Sequence, residues 1–543
     1  MIAGPAPGRA ALANHDWALA YEELKGVESG LLDGEGLDRL AEAAWWLSRI
    51  DECIEAREAA YRAHDAAGDE VAAGTAATWL FEHHCFKGQA AVAGAWLRRA
   101  RRALDGHRET AGYGQLLLRE AELAHGAGQL AVARVLSDDA LELARRLRDP
   151  ELEALALQTG GRVAIDAGDS AAGFGRLDDA MLIATEGRVG PYATGKVYCS
   201  LITACESVGD LRRAAEWTEL TSQWSQRHPM AIFPGLCRIH RAQLLGSRGQ
   251  WHEAVGEARL ACQELAGANL GNAAVGWAEI GDILRRLGDL SGAEEAFAEA
   301  ERLSGRPFGA VSLLRLAEGR ITEARQLIDG AMAGESWNRL ARARLLPARV
   351  QIAIASGDLE TAAADVAELD AIAEQYDTDL LRASSGTSHG RLDLALGHCA
   401  AACERLRAAL AVWILLGVPY EVATTRLLLG HACWKMGDEA GAAAALDAAA
   451  ATFASLGATV AVPSPDELRA GDRTVLPHGL TVREAEVLAL VAAGLSNKEI
   501  SVDLHVSPKT VARHLENIFL KIGVGNRAAA TAFAYENGLL ARA

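Results

Sequence analysis

The chain has 543 residues with a formal net charge of −18, and 50% of its residues are hydrophobic while 23% are charged. This composition excludes a disordered or collagen-like chain. The sequence has only 13 prolines and is rich in alanine, leucine, glutamate and arginine, which excludes a mostly β fold, because β folds need many turns.

The cysteine pattern and the lack of long apolar segments favour the cytoplasm. The nine cysteines are scattered, without the close spacing of a disulfide framework. Residues 1–13 have no continuous apolar core, so we expect no signal peptide. The most apolar stretch, residues 441–463, is mainly alanine and contains Asp447, which argues against a membrane span. We therefore predict a cytoplasmic protein that does not enter a membrane.

A six-residue unit recurs along the chain: glycine, then aspartate, glutamine or arginine, three variable residues, and alanine. The unit begins at Gly88, Gly128, Gly168, Gly209, Gly249, Gly288, Gly319, Gly357, Gly390 and Gly437. Most intervals are close to 40 residues, and the sixth residue is alanine in nine of the ten copies, which indicates a repeat architecture. Degenerate copies at His15 and Ser48 bring the number of predicted units to twelve.

Each unit has the residues of a turn between two antiparallel helices. Glycine can end the first helix in a left-handed conformation, and the aspartate or glutamine after it can cap the second helix. The small sixth residue lets the helices approach closely, and apolar residues follow at helical spacing, as in Leu290, Ala293, Phe297, Ala300 and Leu303.

The repeats resemble tetratricopeptide-type repeats, with the longer period of about 40 residues that bacterial regulator solenoids have. A single helix pair cannot bury its apolar stripe alone, so the pairs must stack. We predict an all-α helical-hairpin solenoid over residues 11–457. The repeats begin near residue 15, so we expect no ATPase domain before them in this chain.

The twelve tryptophans lie within these repeats, Trp45, Trp46, Trp79 and Trp251 among them. Large aromatic residues at helical spacing predict packing between helices. The alternative is that some of them line a ligand site on the concave face of the solenoid.

The character of the sequence changes after Gly457. Residues 458–478 hold Pro463, Pro465 and Pro477 among serine, aspartate and glycine, which is typical of a linker between domains. Residues 479–543 predict four short helices. Their boundary signals are, in chain order, a Thr481–Glu484 capping box, Gly494, a Ser496–Glu499 capping box, a turn at His505-Val506, Ser507 with Pro508, Gly523, Asn526 and Gly538.

Two helices joined by a tight turn, the second longer and polar on one face, describe a helix-turn-helix. On the third helix of this segment an apolar stripe is expected to pack inward, formed by Val511, Leu515, Ile518 and Ile522. The opposite face is positioned to enter a major groove and carries Lys509, Arg513, Glu516, Asn517 and Leu520. Lys498, Thr510, Lys521 and the capped helix N-termini are suited to phosphates.

Four runs of this segment resemble the LuxR-type helix-turn-helix over about 60 residues. They are Leu480-Thr-Val-Arg-Glu-Ala-Glu-Val-Leu488, Gly494-Leu-Ser-Asn-Lys-Glu-Ile500, Ser507-Pro-Lys-Thr-Val-Ala-Arg-His514, and Lys521-Ile-Gly-Val524 with Arg527. The resemblance implies a four-helix domain at residues 479–543 and a transcription regulator that binds double-stranded DNA as a homodimer, with residues 526–537 making the dimer contact. The predicted DNA-binding residues are Lys498, Lys509, Thr510, Ala512, Arg513, His514, Glu516, Asn517, Lys521 and Arg527.

Two positions depart from the family pattern. Ala512 stands where the family usually has lysine, and Glu516 is acidic where a basic or polar residue is commoner. Both departures affect the operator sequence that is read rather than the mode of binding. Residues 479–540 have six basic and six acidic side chains, so the entire charge of −18 lies outside this segment. A helical bundle that no longer binds DNA is the structural alternative.

Two other patterns have a plainer explanation. Gly190-Pro-Tyr-Ala-Thr-Gly-Lys196 has the spacing of a phosphate-binding loop, but the next residue is Val197 where Mg²⁺ binding needs serine or threonine, and no strand precedes it. The His/Cys groups lack paired Cys-x-x-Cys spacing and predict buried core rather than a metal site. These groups are His83-His84-Cys85, His398-Cys399 with Cys403, and His431 with Cys433.

The sequence thus predicts a sequence-specific DNA-binding transcription regulator without enzyme activity, cofactor or metal. Its solenoid is predicted to sense an unknown effector or to dock a partner protein, and to control the C-terminal helix-turn-helix through the linker. Two other functions stay open. One is a protein-interaction scaffold with a vestigial DNA-binding module, and the other is nucleotide hydrolysis through Lys196.

Overall fold

Helices form all the regular structure in the described part of the chain, as the composition predicts. The computed structural model describes residues 7–27, 31–227, 232–305, 308–464, 467–468, 480, 482–504, 507–537 and 539. The chain divides into two compact units, residues 1–462 and residues 463–543.

The first unit is a succession of antiparallel helical hairpins. Its first twelve helices are α1 (Arg9–Ala13), α2 (Trp17–Lys25), α3 (Gly34–Trp46), α4 (Ile50–Ala67), α5 (Glu70–Phe86), α6 (Ala90–Leu104), α7 (Ala111–Gly126), α8 (Leu130–Leu147), α9 (Pro150–Asp166), α10 (Ser170–Thr185), α11 (Pro191–Val208) and α12 (Leu211–Arg227). Its remaining helices are α13 (Ile232–Ser247), α14 (Trp251–Leu265), α15 (Leu270–Leu287), α16 (Leu290–Ser304), α17 (Ala310–Ala317), α18 (Ile321–Gly334), α19 (Arg339–Ala355), α20 (Leu359–Tyr376), α21 (Asp379–Leu396), α22 (Cys399–Leu416), α23 (Pro419–Lys435) and α24 (Glu439–Leu456).

The second unit contains four helices in its described residues. They are α25 (Val482–Ala492), α26 (Asn497–Asp503), α27 (Pro508–Ile522) and α28 (Arg527–Glu536). Several predicted features lie outside the described residues: Pro465, Pro477, Gly479, Thr481, the turn at His505-Val506, and Gly538.

The turns between hairpin helices are where the repeats predict them in all but one case. Nine of the predicted unit glycines have positive φ, and so do His15 (58°) and Ser48 (58°) in the degenerate copies. The sixth residue of each of these units is buried, because it lies where the two helices of a hairpin meet. The odd-numbered helices of successive hairpins also pack side by side, which builds the solenoid.

The unit predicted at Gly390 is wrong. Gly390 lies inside α21, where a Cβ would come within 2.4 Å of Leu406 Cγ, so this glycine permits close packing rather than a turn. The chain turns instead at Gly397, whose φ is 82° and which is 40 residues from the turns on either side. Its sixth residue, Ala402, is fully buried, whereas Ala395 is exposed. The sequence pattern missed this turn because histidine follows the glycine.

Aspartate caps the second helix of a hairpin, but glutamine does not. At five turns the aspartate carboxylate accepts a hydrogen bond from the backbone N–H three residues later, at 2.9–3.1 Å: Asp169, Asp210, Asp289, Asp358 and Asp438. Gln89, Gln129 and Gln250 begin helices without a side-chain cap. Glutamine has one more methylene than the short side chains that cap helices well. The predicted cap is therefore confirmed for aspartate and wrong for glutamine.

Later hairpins pack against the turns of earlier ones. The Tyr376 hydroxyl donates a hydrogen bond to the carbonyl of Ile165 at 3.0 Å, and the rings of Trp251 and Tyr420 lie 5.8 Å apart. One hydrophobic core contains buried residues from both 117–214 and 332–381. The solenoid therefore has long-range contacts in addition to those between neighbouring hairpins.

The segment that has the spacing of a phosphate-binding loop, residues 190–196, is the start of a helix. Gly190 is the N-cap of α11, and the following residues through Lys196 form its first turns, so no loop is present to surround a phosphate. The Lys196 ammonium lies 2.7 Å from the carboxylate of Glu122 and 3.5 Å from that of Glu82. Lys196 therefore belongs to an ion cluster of the helical core rather than to a phosphate-binding loop.

The prediction that the His/Cys groups are buried in the core is confirmed for His83, His84, Cys403 and Cys433, but it is wrong for Cys85 and His398, which are exposed. In the described residues no group of three or more His, Cys, Asp or Glu side chains is arranged to hold a metal ion. Cys403 and Cys433 are both buried, with their sulfur atoms 3.9 Å apart. Within the same part of the chain, no helix is long and apolar enough to cross a membrane.

Enlarging Ala402 tests the corrected repeat. We expect Ala402→Leu to lower the free energy of unfolding by about 1–3 kcal/mol, because the new side chain has no space between α21 and α22. Ala395→Leu is the matched control and should change it by less than about 0.5 kcal/mol. Urea unfolding followed by circular dichroism measures both, and equal losses would contradict the placement of the turn.

Candidate nucleic-acid interface

The four helices of the second unit enclose a small hydrophobic core. All four helices contribute buried apolar side chains, from the single Ile500 of α26 to the full stripe of α27 that the sequence predicts. The buried residues are Leu480, Val487, Leu488, Val491, Ala492, Ile500, Val511, Leu515, Ile518, Ile522, Ala530 and Ala534. The orientation of α27 is therefore determined by its apolar face.

Local capping defines where the two central helices begin. Ser496 and Glu499 form the predicted capping box of α26: the backbone N–H of Ser496 donates to Glu499 Oε2 at 2.7 Å, and Ser496 Oγ accepts the N–H of Glu499 at 3.4 Å. Hydrogen bonds to the Glu499 carboxylate from the Ser496 hydroxyl and from the Ser496 backbone N–H lower the pKa of Glu499. Ser507 Oγ accepts the N–H of Thr510 at 3.1 Å and caps α27, which has Pro508 in its first turn.

The solvent face of α27 carries the side chains predicted to enter a groove. Lys509, Arg513, Glu516 and Asn517 are exposed, and Leu520 is 82% exposed. Within the described residues, the first four make no side-chain hydrogen bond and no ion pair. Their donors and acceptors are therefore available to a partner, and the surface they form is called the α27 face below.

The remaining predicted residues surround the α27 face. Ala512 and His514 are half-buried beside it, while Thr510 is exposed and its hydroxyl is 2.7 Å from that of Ser507. Lys498 is exposed on the first turn of α26. All four stay predictions as DNA contacts.

Lys521 and Arg527 have partners within the unit. The Lys521 ammonium donates to Glu484 Oε2 at 2.6 Å, which joins α27 to α25 across a carboxylate that is nearly buried. The Arg527 guanidinium donates to Asn497 Oδ1 at 2.9 Å and to the carbonyl of Leu495. Their DNA contacts also stay predictions, but both cations already hold helices together.

Sequence reasoning missed these two connections. The partners of each pair are at least 30 residues apart, and neither pair follows a helical spacing. Composition and periodicity report which residues share a helix face, but they do not report which side chains of two different helices meet. No signal in a single sequence could have found the contacts.

Replacing Arg527 by lysine separates a structural role from a charge role. Lysine keeps the positive charge but cannot make both hydrogen bonds of the planar guanidinium, so we expect the segment around Asn497 to lose about 1–2 kcal/mol of local stability. Amide hydrogen exchange on the full chain should then be about five to thirty times faster in α26. Arg513→Lys, on the α27 face, is the control and should leave exchange unchanged. Equal exchange in both variants would exclude the structural role of Arg527.

Comparison with known proteins identifies the second unit. Residues 478–534 match the family described as bacterial regulatory proteins, luxR family. A Mycobacterium tuberculosis protein named as an HTH-type transcriptional regulator is 31% identical over 295 residues, which cover 51% of this chain and 32% of that protein. The transcriptional regulatory protein LiaR of Bacillus subtilis is 43% identical over 74 residues, which cover 13% of this chain and 35% of LiaR.

The chain spans about a third of the length of the curated relatives that it matches. Among solved structures, the Cut9-Hcn1 hetero-tetramer of the APC/C aligns over 97% of this chain and 94% of that chain, with a TM-score of 0.42 and 12% identity. The four packed helices, the capped helix pair and the family match agree on one conclusion. The chain carries, at residues 478–534, a DNA-binding domain of the luxR family of bacterial regulatory proteins.

Proposed function

We propose that the chain is a transcription regulator that reads a specific DNA sequence with α27. One observation carries this proposal: the α27 face presents Lys509, Arg513 and Asn517 to solvent without partners in the described residues. The opposite face of the same helix is buried, so these side chains project away from the domain. A helix of this kind fits the major groove of double-stranded DNA.

The side chains of the α27 face differ in what they can recognise. A guanidinium such as that of Arg513 can donate two hydrogen bonds to guanine, and an amide such as that of Asn517 can pair with adenine. Glu516 can accept a hydrogen bond from cytosine, and the methyl group of Ala512 can contact thymine. The two departures from the family pattern would thus select bases rather than prevent binding.

Contacts to phosphate would position the domain on the duplex. Lys498, Thr510, the N-termini of α26 and α27, and His514 at the edge of the α27 face surround the site where the backbone would pass. Lys521 and Arg527 would contribute their remaining donors while keeping their partners within the domain. Such contacts set the register of binding without reading bases.

Two copies of the domain would bind together. Residues 479–540 have no net charge, so a single domain gains little non-specific attraction to DNA. Residues 526–537 are the proposed homodimer contact, where α28 exposes Ala528, Ala532 and Tyr535, the last 60% exposed. A dimer doubles the contacts and places the two α27 helices on neighbouring half-sites.

The solenoid would supply the signal. Residues 11–457 form stacked helical hairpins, and residues 458–478 connect these hairpins to the DNA-binding unit. An effector or partner protein that binds one arrangement of the solenoid more tightly would shift the exposure or dimerisation of the C-terminal unit. A regulator that acts on the chromosome in this way works in the cytoplasm, and the proposal involves neither a cofactor nor enzyme activity.

Replacing Arg513 tests the reading of bases. We expect Arg513→Ala to weaken binding to the selected operator by about 1–3 kcal/mol while leaving binding to random DNA nearly unchanged. Operators are first selected from a random duplex library with the full chain, and fluorescence anisotropy then measures affinity at several salt concentrations. Arg212→Ala, on an exposed position of α12, is the control and should bind like the unaltered protein.

The same experiment separates the competing functions. An equal loss of affinity on operator and on random DNA would make Arg513 a phosphate contact. No selective binding by the unaltered chain would favour the scaffold function, in which the C-terminal unit is vestigial. Thermal stabilisation by ATP that disappears in Lys196→Ala would favour nucleotide binding instead.

Removing the solenoid tests its control over the DNA-binding unit. We expect the full chain and a chain of residues 458–543 to differ in operator affinity, or in the response of that affinity to cell extract, because linkage requires the solenoid to bias the unit. The comparison uses the operators selected above. Identical affinities and identical responses would contradict the coupling.

A further inference from the structure

A cavity of about 380 Å³ opens to solvent in the first half of the solenoid, where Arg9, Glu35 and Glu42 of its lining are exposed. It is bounded by α3, α4 and α5 on one side, and by the start of α9 and the start of α11 on the other. These helices are brought together only by the stacking of the hairpins, since Glu42 and Tyr192 are 150 residues apart. The volume is within the range of small-molecule sites, about 300–1,000 Å³.

Aromatic rings form much of the wall. Trp45, Trp46, Trp79 and Tyr192 line the cavity, and the rings of Trp79 and Tyr192 meet edge to face at 4.9 Å. The face of an aromatic ring attracts a cation, and this wall already does so, because the Arg57 guanidinium lies 5.9 Å from the centre of the Trp79 ring. The wall can therefore hold an apolar group next to a positive charge.

Two carboxylates of the cavity lack a cationic partner. Asp38 is paired with Arg57 at 2.6 Å, and Glu35 lies 3.5 Å from Arg39. Glu42 and Glu151 have no lysine, arginine or histidine nitrogen of the described residues within salt-bridge distance, whereas the other two acids of the lining do. The lining holds four carboxylates and three arginines in all, so one negative charge has no counter-charge in the cavity.

The surroundings of Glu42 show that this charge is unfavourable. Burial raises the pKa of Glu42, and the negative charges of Glu151 and Asp38 act in the same direction, against Arg57 and a hydrogen bond from Trp46. The carboxylate is nevertheless accessible to solvent through the cavity. A bound cation would remove the repulsion and stabilise the charged carboxylate.

Beyond Arg9, Arg39 and Arg57, neighbouring groups add no positive charge to the cavity lining. Burial lowers the pKa of His83 to about 3, so this imidazole is neutral at physiological pH. Arg9 is exposed and forms no ion pair with the described residues. The indole N–H of Trp45 is buried and has no hydrogen-bond acceptor in the described residues, which provides a donor for a polar atom of a ligand.

We propose that this cavity binds a small organic cation, an amine or quaternary ammonium attached to an apolar group. The cationic head would lie between Glu42 and Glu151, and the apolar body would pack against Trp45, Trp79 and Tyr192. The site would give the proposed sensing role of the solenoid a specific ligand class. The biological purpose of the site rests on that proposed function, whereas the binding itself does not. A cation held between Glu42 and Glu151 would bridge α3 and α9 and favour the arrangement in which these helices are close.

The test compares three probes of the same shape with the full-length protein. Phenethylamine is cationic, phenethyl alcohol is neutral and hydrocinnamate is anionic; isothermal titration calorimetry and thermal unfolding measure their binding. We expect phenethylamine to bind in the millimolar range or tighter and to raise Tm, while the alcohol and the acid bind at least about tenfold more weakly. Equal or tighter binding of the alcohol or the acid, or no binding of the amine, would overturn the proposal.

Variants connect the binding to the named residues. Glu42→Gln and Glu151→Gln should each weaken phenethylamine binding about tenfold, because each removes half of the negative charge at the head group. Glu55→Gln, on an exposed position of α4 outside the cavity, is the control and should bind like the unaltered protein. Unchanged amine affinity in both cavity variants would refute the site.

The result of the amine-binding test does not depend on whether the proposed DNA binding is correct. The binding assays contain no DNA, so they report on the cavity even if operator binding fails. Trp79→Leu provides a second route if a charge variant does not fold: it keeps an apolar side chain but removes the ring face, and amine affinity should fall while the circular dichroism spectrum is retained. Retained affinity in this variant would exclude the aromatic wall as part of the site.

Discussion

The solenoid depends on the close approach of two helices across a small buried side chain. At each hairpin the chain reverses through a left-handed residue, and five residues later a small side chain lies where the helices meet. Ala402 and Ala442 are fully buried at these positions, and Gly173 takes the same place in another hairpin. A larger residue would separate the helices and change the angle at which the next hairpin stacks, so one position per repeat controls the whole succession.

Buried charged groups also connect different hairpins in the interior of the solenoid. There, Glu82, Arg119 and Lys196 form a buried ion cluster across three helices of different hairpins. Burial alone raises the pKa of Glu82, but Arg119 and Lys196 outweigh it and hold the pKa at about 2. With Glu122, which lies 2.7 Å from Lys196, this cluster has two acids and two bases, whereas the adjacent cavity around Glu42 has four acids and three bases. Paired charges indicate a cluster that stabilises the fold, whereas an unpaired carboxylate in a cavity indicates a candidate ligand site.

The DNA-binding unit is stabilised differently from the solenoid, because a domain of about 60 residues buries little apolar surface. It relies on local devices, such as the Ser496–Glu499 capping box, and on cations that connect helices. Lys521 and Arg527 serve this purpose, which leaves Lys509 and Arg513 as the basic side chains of the α27 face without internal partners in the described residues. With so few free cations and no net charge, recognition would depend on the geometry of the contacts more than on general attraction to phosphate.

The sequence by itself determined whatever depends on local spacing. Helical period, turn glycines and capping residues predicted the hairpins and the buried stripe of α27, since these features involve residues within one or two turns of each other. The tertiary structure alone decided which distant side chains meet. It joined Arg527 to Asn497 within the C-terminal unit and brought Glu42 and Glu151 to one cavity. In the solenoid such contacts depend on how successive hairpins rotate relative to one another, and small packing differences accumulate without leaving a pattern in the sequence.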